Sequence, residues 1–324
     1  MNVSVTGGSG FIGGLLMASL VARGDQVTQL SRRESTPASK IKVVQGDLVS
    51  QVASLGEFVR DSEVIIHCAG EVNNTELMYN LHVEGTRNLL AAVHLEIKRT
   101  GTPVHWVQLS STGAYGVPTC GSNQNLTIDE RLAPAPVGMY EVTKTIADEL
   151  VVALAAVEPL FTFTLVRPSI VIGSEMSNGS FFQMAEVVRK RLFFYIGADT
   201  SLATYVHVDD VVRALLLCAS DARAAGKTFI LSNDCSLEQV ISQMAKAQGV
   251  PLPRLRLPEP LVRLLVKVLS PFVRLPLTPE RIDALTKQVG YSSDHIRTTL
   301  GFEFNSSIPD SIPSLITNRT KHTS

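Results

Sequence analysis

The sequence has neither a basic stripe nor a basic tail, and its formal net charge at pH 7 is only −1 over 324 residues. We therefore do not expect it to bind nucleic acid. The chain also lacks a C-x-x-C pair, which argues against a zinc site and against a disulfide framework, and we expect no metal. Its cysteines are widely separated, at Cys68, Cys120, Cys218 and Cys235.

Long apolar runs are missing as well. No window reaches ~18 uninterrupted apolar residues, so we expect no membrane-spanning helix. The first predicted strand begins at about Val3, which leaves no room for a leader with an apolar segment. A hydrophobic content of 45 % and a charged content of 18 % are ordinary for a soluble globular enzyme. The cytoplasm is the expected location.

A glycine turn follows the first strand directly. It reads Thr6-Gly7-Gly8-Ser9-Gly10-Phe11-Ile12-Gly13. Glycines let the backbone approach a pyrophosphate closely, and the helix that they open points its N–H groups at that anion. The turn therefore predicts a dinucleotide site formed by Gly7, Gly10, Phe11, Ile12 and Gly13.

Short β-branched runs alternate with helical periodicities up to residue 231. Strands are predicted at 3–5, 27–30, 42–44, 64–68, 104–109, 163–166 and 228–231, and helices near 13–22, 85–97, 140–155 and 209–219. This alternation predicts an α/β fold with a doubly wound parallel Rossmann sheet of about seven strands. It breaks after Gly173. We expect a dinucleotide-binding domain of residues 1–173 plus 204–233, and a smaller, mostly helical C-terminal substrate lobe of residues 174–203 plus 234–324.

The end of the second strand lacks the carboxylate that holds the ribose hydroxyls in many NAD-binding folds, ~20 residues after the glycines. Ser31, Arg32 and Arg33 stand there instead. Arginine can grip a 2′-phosphate with two hydrogen bonds, so this turn favours NADP over NAD. The alternative is a solvated basic loop, with NAD as the cofactor.

Two further strand ends face the same ligand. Asp47, followed by Leu48, ends the third strand and is either a contact for the adenine amino group or an ordinary turn aspartate. Cys68, Ala69 and Gly70 end the fourth strand with small residues, beside the expected position of the nicotinamide ribose.

Tyr140 and Lys144 stand near the start of a predicted helix, and their spacing of four places them on one face. An ammonium group nearby favours the phenolate and lowers the pKa of a tyrosine from its ordinary value of ~10. Ser110 and Ser111 end the fifth strand, where a hydroxyl can donate to a substrate carbonyl in the crevice. With Tyr140, such a hydroxyl completes a site for hydride transfer at a C–OH/C=O centre.

These motifs resemble those of the extended short-chain dehydrogenase/reductase superfamily, whose members are NAD(P)-dependent nucleotide-sugar epimerases, dehydratases and reductases. The resemblance covers nearly the whole chain. It implies Ser111 as the catalytic hydroxyl, Tyr140 as the acid/base and Lys144 as its partner. It also implies that Pro168 contacts the nicotinamide end. The matching segments are 6–13, 46–48, 67–70, 83–90, 110–111, Tyr140 with Lys144, 167–168 and 205–211.

The chain departs from the superfamily pattern at two places. His82 stands where the family usually has an asparagine that orders the active-site water and the helix geometry, so its part in the proton relay is open. Thr112 and Gly113 stand where the sugar dehydratases of this group carry an Asp-Glu pair. The resemblance therefore disfavours a dehydratase.

The leading hypothesis is an NADP(H)-dependent oxidoreductase that interconverts a keto and a hydroxyl group on a nucleotide-linked sugar, as a 4-keto-sugar reductase does. One alternative is a nucleotide-sugar epimerase with a retained cofactor. Another is a reductase of sterol-like or flavonoid-like molecules, and a third is an NADP-sensing regulator without turnover. The arginine turn favours net reduction.

The candidate substrate residues are Thr112, Gly179, Ser180 and Arg191, with Ser111. The segment from Ser177 to Phe182 and the basic trio 189–191 fall where relatives bind a nucleotide diphosphate, and the trio is either a pyrophosphate contact or a solvated helix end. Residues 261–277 are apolar with interspersed cations, including Arg274, which predicts a helix over the substrate cleft or, as an alternative, a membrane contact. Because relatives often pair through two helices, a homodimer is a candidate assembly.

Overall fold

The structure is a computed structural model. It describes residues 1–33, 40–116, 126–176, 179–269 and 277–322, without the side chains of residues 280 and 318–322. Cys120, Ser177, Asn178 and Arg274 lie outside the described residues.

Strands and helices alternate through most of the chain. The strands are β1 Asn2–Thr6, β2 Gln26–Ser31, β3 Ile41–Gln45, β4 Val64–His67, β5 Val104–Leu109, β6 Leu126–Ile128, β7 Phe161–Pro168, β8 Ile170–Ile172, β9 Tyr195–Ile196, β10 Leu202–Ala203, β11 Tyr205–His207, β12 Lys227–Leu231, β13 Cys235–Ser236, β14 Arg256–Leu257 and β15 Val289–Tyr291. The α-helices are α1 Phe11–Arg23, α2 Leu55–Phe58, α3 Thr75–Tyr79, α4 Gly85–Thr100, α5 Met139–Val157, α6 Ser180–Arg189, α7 Val208–Ser220, α8 Leu237–Ala247, α9 Glu259–Leu269, α10 Pro279–Leu285, α11 Asp294–Leu300 and α12 Ile308–His322.

The central sheet has seven strands in the order β12-β7-β5-β4-β1-β2-β3. Every neighbouring pair is parallel. The order runs outward in both directions from the first strand, which is the doubly wound arrangement. All seven predicted strands are members of this sheet, so the predicted fold class is confirmed. The carboxyl ends of β1, β4 and β5 meet at one edge, because parallel strands all end on the same side.

Helices cover both faces of the sheet. On one face α1 and α7 pack through Leu16, Leu20 and Leu215. On the other face α2, α4 and α5 bury Phe58 and Val151, among others. Strands covered on both sides must be apolar along their whole length, and this is why they read as continuous apolar runs rather than alternating ones.

The chain after Gly173 builds two smaller cores. One joins α6, α8 and α12 through residues such as Phe181, Met244 and Ile312, and Phe11 of the glycine turn packs against it. The other joins α9 and α10 to β9. Thr278 caps α10, since its hydroxyl accepts from the backbone N–H of Arg281. The predicted division into two domains stays a prediction.

Gly13 is the position in α1 that tolerates a side chain least. A Cβ there would lie 2.0 Å from the carbonyl oxygen of Gly7, whereas a Cβ on Gly14 would meet nothing closer than 3.9 Å. Gly13→Ala should therefore lower the free energy of unfolding by about 1–3 kcal/mol through overpacking. Gly14→Ala, as the matched control, should raise it by about 0.5–1 kcal/mol, because glycine in a helix is entropically costly. Urea denaturation measures both, and equal effects would contradict this account.

Candidate functional site

The glycine turn lies against the end of β4. Gly7 adopts a left-handed conformation, with φ of +70°, and a Cβ on it would lie 2.7 Å from the backbone nitrogen of Ala69. The N–H of Gly10 donates to the carbonyl oxygen of Gly7 over 2.9 Å. Neighbouring backbone therefore leaves no room for a side chain at Gly7 or at Gly13.

Helix α1 begins at this turn without a side-chain cap. Its N-cap is Gly10, which has no side chain to accept from the first-turn N–H groups. Those donors, from residues 11–13, therefore stay available to an anion, and the helix dipole favours negative charge there. A pyrophosphate of a dinucleotide fits this cradle, since small backbone and free N–H groups are what such a group requires.

The ends of β2 and β3 form the adjacent part of the edge. Arg32 and Arg33 are exposed, and neither makes an ion pair within the described residues. Asp47 accepts hydrogen bonds on Oδ1 from the backbone of Val49 and Ser50 and from the Ser50 hydroxyl. Burial raises the pKa of the Asp47 carboxyl. The hydrogen bonds and the positive charge of Arg32 together lower it by a larger amount, so its pKa lies below its ordinary value. This bonding is that of a turn aspartate, with one oxygen already committed.

Leu48 is held by α4. The side-chain amide of Asn88 donates to the Leu48 carbonyl over 2.9 Å, and Gly85 allows Leu48 to pack against the helix start. Asn88 belongs to the segment quoted for the superfamily resemblance, and the structure gives it this physical role.

Strand β4 is followed directly by the small residues Cys68, Ala69 and Gly70, which lie next to Gly7. A Cβ on Gly70 would lie 3.5 Å from Nε2 of His82, so the loop also touches the segment before α4. Burial raises the pKa of the Cys68 thiol to about 12, which leaves it protonated and inert at neutral pH. Pro168 is buried at the end of β7, where it lies opposite Leu231 of β12.

The two serines after β5 have different surroundings. Ser110 is only 3 % exposed, and its hydroxyl donates to Asp148 over 2.7 Å. Ser111 is half-buried and accepts from the backbone N–H of Gly113, which leaves its own hydroxyl proton free to donate. The geometry therefore favours Ser111 over Ser110 as the hydroxyl that faces a substrate.

Tyr140 lies in the first turn of α5, which packs on the loop after β5. A Cβ on Gly113 would lie 2.5 Å from Cγ of Glu141, so this loop and the helix start are in direct contact. Ser111 and Tyr140 are thereby brought to the same part of the sheet edge.

The expected lowering of the tyrosine pKa by Lys144 is not found. Desolvation by the surrounding protein raises the pKa of Tyr140 to about 12, and the charges of Glu141 and Asp148 raise it as well. The Lys144 ammonium instead donates to the Leu109 carbonyl over 2.5 Å. Because the ammonium is engaged at the strand end, desolvation dominates, and the Tyr140 phenol is protonated at neutral pH.

A buried acid that the sequence reasoning missed supports Lys144. Asp148 lies one turn further along α5 and forms an ion pair with Arg167 of β7 at 3.1 Å, with both side chains under 10 % exposed. Burial lowers the pKa of Lys144, and the Asp148 charge opposes this. Asp148 and Arg167 thus tie α5 to β7. The available signal was the spacing of four between Lys144 and Asp148.

His82 forms a bridge between two parts of the site. Its Nε2 accepts from the backbone N–H of Glu71 over 2.8 Å, so its proton must be on Nδ1, which donates to the Thr143 hydroxyl over 2.8 Å. Thr143 in turn donates to the carbonyls of Met139 and Tyr140. The histidine therefore connects the loop after β4 to the first turn of α5.

The surroundings of His82 indicate that this side chain positions other parts of the site. Its ring meets that of Tyr140 edge to face, with centroids 5.6 Å apart. Residues 80–84 form one turn of π-helix, an irregularity that is frequent at functional sites. His82 thus positions the start of α5 as a neutral hydrogen-bonding group.

The candidate substrate residues are more dispersed. Thr112 is buried beside Ser111, whereas Gly179 and Ser180 lie at the start of α6. Arg191 follows α6 with a left-handed φ of 60°. Of the basic trio, Arg189 and Lys190 both pair with Glu186, at 2.6 and 3.3 Å. Only Arg191 is outside an ion pair in the described part of the chain, which weakens the trio as a pyrophosphate contact.

A family model described as the NAD dependent epimerase/dehydratase family matches residues 3–231. The chain belongs to this family. Membership confirms the superfamily resemblance and makes the protein an NAD(P)-dependent oxidoreductase or epimerase. The matched residues contain the glycine turn, Ser111, Tyr140 and Lys144.

Curated relatives are similar over most of the chain. A 4-hydroxy-2-methyl-3-oxo-4-farnesyl-3,4-dihydroquinoline-1-oxide ketoreductase of Stigmatella aurantiaca is 27 % identical, over 93 % of this chain and 92 % of its own. Sterol demethylase protein B of Methylococcus capsulatus is 29 % identical, over 85 % and 83 %. The solved structure of MoeE5 in complex with UDP-glucose and NAD has a TM-score of 0.73 at 22 % identity, with full coverage of both chains. At that identity the last comparison supports the fold alone.

Every helix among the described residues is too short or too polar to cross a bilayer.

Two buried histidines, His67 at the end of β4 and His82, make stability depend on pH. Burial lowers the pKa of His82 to about 4 and that of His67 to about 3, from 6.5. Between pH 6.5 and 4 the unfolded chain takes up protons that the folded chain does not, so the free energy of unfolding should fall as the pH is lowered through this window. His82→Gln should flatten that fall by up to about one proton, as measured by urea denaturation at a series of pH values. A pH dependence identical to that of the unmodified protein would show that His82 is not held neutral by the fold.

Proposed function

We propose that the protein is an NADP(H)-dependent oxidoreductase that reduces a keto group to a hydroxyl group, with Ser111, Tyr140 and Lys144 at the reacting centre. One observation carries this proposal. A continuous series of contacts runs from Gly7 to the loop after β4, on to His82, and from there to Tyr140. A dinucleotide lying on the glycine turn would thus reach the tyrosine.

The chain's own residues supply the proton chemistry. A bound nicotinamide dinucleotide supplies the hydride. Tyr140, protonated at neutral pH because its pKa is about 12, donates its proton to the substrate oxygen. Ser111 donates a hydrogen bond to the same oxygen, which stabilises the charge that develops there. Lys144, whose charged form the Asp148 carboxylate favours, lies beside this centre at the end of β5, where its ammonium donates to the Leu109 carbonyl.

Two arguments support NADP(H) over NAD(H). No carboxylate ends β2, and the exposed guanidinium groups of Arg32 and Arg33 follow that strand without ion pairs among the described residues. A 2′-phosphate would give both arginines a partner through charge-assisted hydrogen bonds.

Two substrate classes are candidates. The first is the nucleotide-linked keto-sugar that the sequence favours. The second is an apolar ring ketone, such as a sterol or a prenylated ring, and one structural observation favours it: Arg189 and Lys190 are already engaged with the Glu186 carboxylate rather than both free to bind a pyrophosphate. The names of the two curated relatives, a farnesyl-dihydroquinoline ketoreductase and a sterol demethylase protein, support the same class.

The reaction is tested by NADPH oxidation with a panel of nucleotide-linked 4-keto-sugars and of sterol and prenylated ring ketones. We expect net oxidation with members of one class. Tyr140→Phe should slow turnover by about 10²–10⁴-fold, because it removes the proton donor, while leaving NADPH binding intact.

Tyr79→Phe is the matched control, since Tyr79 is 46 % exposed on α3 and should be dispensable. Full activity of Tyr140→Phe would overturn the mechanism. Isomer exchange of a nucleotide-sugar without net NADPH oxidation would replace the reductase with the epimerase alternative.

The cofactor preference has its own test. Replacing both arginines, in Arg32→Ala with Arg33→Ala, should weaken NADPH binding by roughly tenfold or more and leave NADH binding nearly unchanged, because only the phosphate is lost as a partner. Fluorescence titration of both nucleotides measures this. Arg60→Ala is the control, as Arg60 precedes the amino end of β4, on the opposite edge of the sheet. Tighter binding of NADH than of NADPH by the unmodified protein would refute the preference.

A further inference from the structure

Helix α9 carries three separate sectors around its axis. Val262 and Val266 are buried at 3 % and 7 % exposed. Glu259, Arg263 and Lys267 form a polar sector. The third sector, spanning an arc of roughly 100°, holds Leu261, Leu264, Leu265 and Val268. A helix on the surface of a globular protein needs only one apolar stripe to pack, so the second one is unexplained by the fold.

The third sector, called here the α9 apolar face, is open to solvent. Its four side chains are 44 %, 58 %, 46 % and 54 % exposed, in chain order. Leu252 and Leu255, in the segment that leads into β14 and α9, are 50 % and 58 % exposed. Clustered exposure of this kind marks an interaction site, whereas single exposed leucines do not.

The face is presented on a firmly held helix. Val262 and Val266 pack into a small core with Ile196 of β9 and Ile282 of α10. Arg263 adds ion pairs at 2.8 Å to Glu259 and at 2.7 Å to Asp283 of α10. The buried stripe and the ion pairs set the rotation of α9, so its apolar face points away from the protein.

The charge beside this face is positive, although the whole chain is nearly neutral. Residues 252–269 contain four cations and a single acid, Glu259. Arg256 and Arg263 are engaged with acids of the protein. Arg254 and Lys267 make no ion pair within the described part of the chain, and Lys267 borders Leu264 on the next turn. Apolar side chains flanked by uncommitted cations complement a surface of lipid tails and anionic headgroups.

The dimensions agree with such a partner. An 11-residue helix is about 16 Å long, far too short to span a bilayer but sufficient to lie in its interface. Helices of this type bury their apolar face about 5–10 Å below the headgroups, while lysine reaches up to the phosphates.

We propose that the α9 apolar face docks the protein on a bilayer containing anionic phospholipid. Docking rests on α9 itself and is independent of the proposed hydride transfer, so either can fail without the other. It would place the C-terminal part of the chain, including α6 and α10, next to the membrane, since Arg281 of α10 donates to Gln183 of α6 over 2.9 Å.

The test is co-sedimentation of the full chain with vesicles of phosphatidylcholine alone and of phosphatidylcholine with phosphatidylglycerol. We expect binding to the mixed vesicles, weakened by added salt. Leu264→Gln with Val268→Gln should reduce the partition coefficient roughly tenfold or more. Lys267→Glu should reduce binding to the mixed vesicles only.

Two matched variants keep the result specific. Val52→Gln with Val157→Gln replaces two exposed valines outside α9, and Lys246→Glu reverses a charge on α8; both should bind as the unmodified protein does. Circular dichroism confirms folding of every variant. Absence of binding to mixed vesicles, or equal loss in the control variants, would overturn the proposal. A dimer in sedimentation velocity that Leu264→Gln with Val268→Gln converts to monomer, without vesicle binding, would instead assign the face to a second copy of the chain.

Discussion

Close contact between two backbones organises this molecule. Gly7, at the end of β1, lies so near to the loop after β4 that no side chain fits between them, and Gly13 of α1 lies equally near to Gly7. The first strand, the first helix and the fourth strand are thereby held together at the middle of a parallel sheet. Since every strand of the sheet ends on this side, the groups that follow β1, β2, β3, β4 and β5 converge around the same turn.

The buried polar side chains beside the glycine turn need hydrogen-bond partners. Asp148 with Arg167 and Ser110, and His82 with Thr143 and Glu71, are two networks of hydrogen bonds, and in the first of them the ion pair and the serine bond both use Oδ2 of Asp148. Each connects α5 to another element, one to β7 and the other to the loop after β4. Their joint effect is to hold the start of α5, where Tyr140 lies, with few degrees of freedom. In the proposed reaction, a proton donor held in this way would need little reorganisation.

Apart from α7, which packs on the main sheet, and β12, which belongs to it, the described chain beyond Gly173 follows different rules. It packs as helices around small cores, with short strands of two or three residues at its edges. Its surface has one apolar helix face more than packing requires, and two cations of its basic trio share the Glu186 carboxylate. The proposed bilayer contact rests on the first of these features.

Sequence alone was sufficient for the sheet and for the candidate groups that lie at its edge. Seven apolar runs predicted seven strands, because a sheet covered on both faces leaves a local signature in every strand. Helices such as α6, α8 and α12 were not individually predicted. Their apolar side chains pack into a core that is assembled from distant segments of the chain. The residues from 317 onward are mostly polar, and α12 nevertheless continues to His322.

Only tertiary structure decided how the site residues act. The sequence shows the spacing of Tyr140 and Lys144, but the pKa of the tyrosine depends on the groups that surround it in the fold. Lys144 donates to the Leu109 carbonyl and does not lower that pKa. The choice of Ser111 over Ser110 depends on Asp148, and the tautomer of His82 depends on Glu71 and Thr143, which are partners elsewhere in the sequence. Linear spacing specifies which side chains share a face, whereas desolvation and hydrogen bonding depend on every element that folds against them.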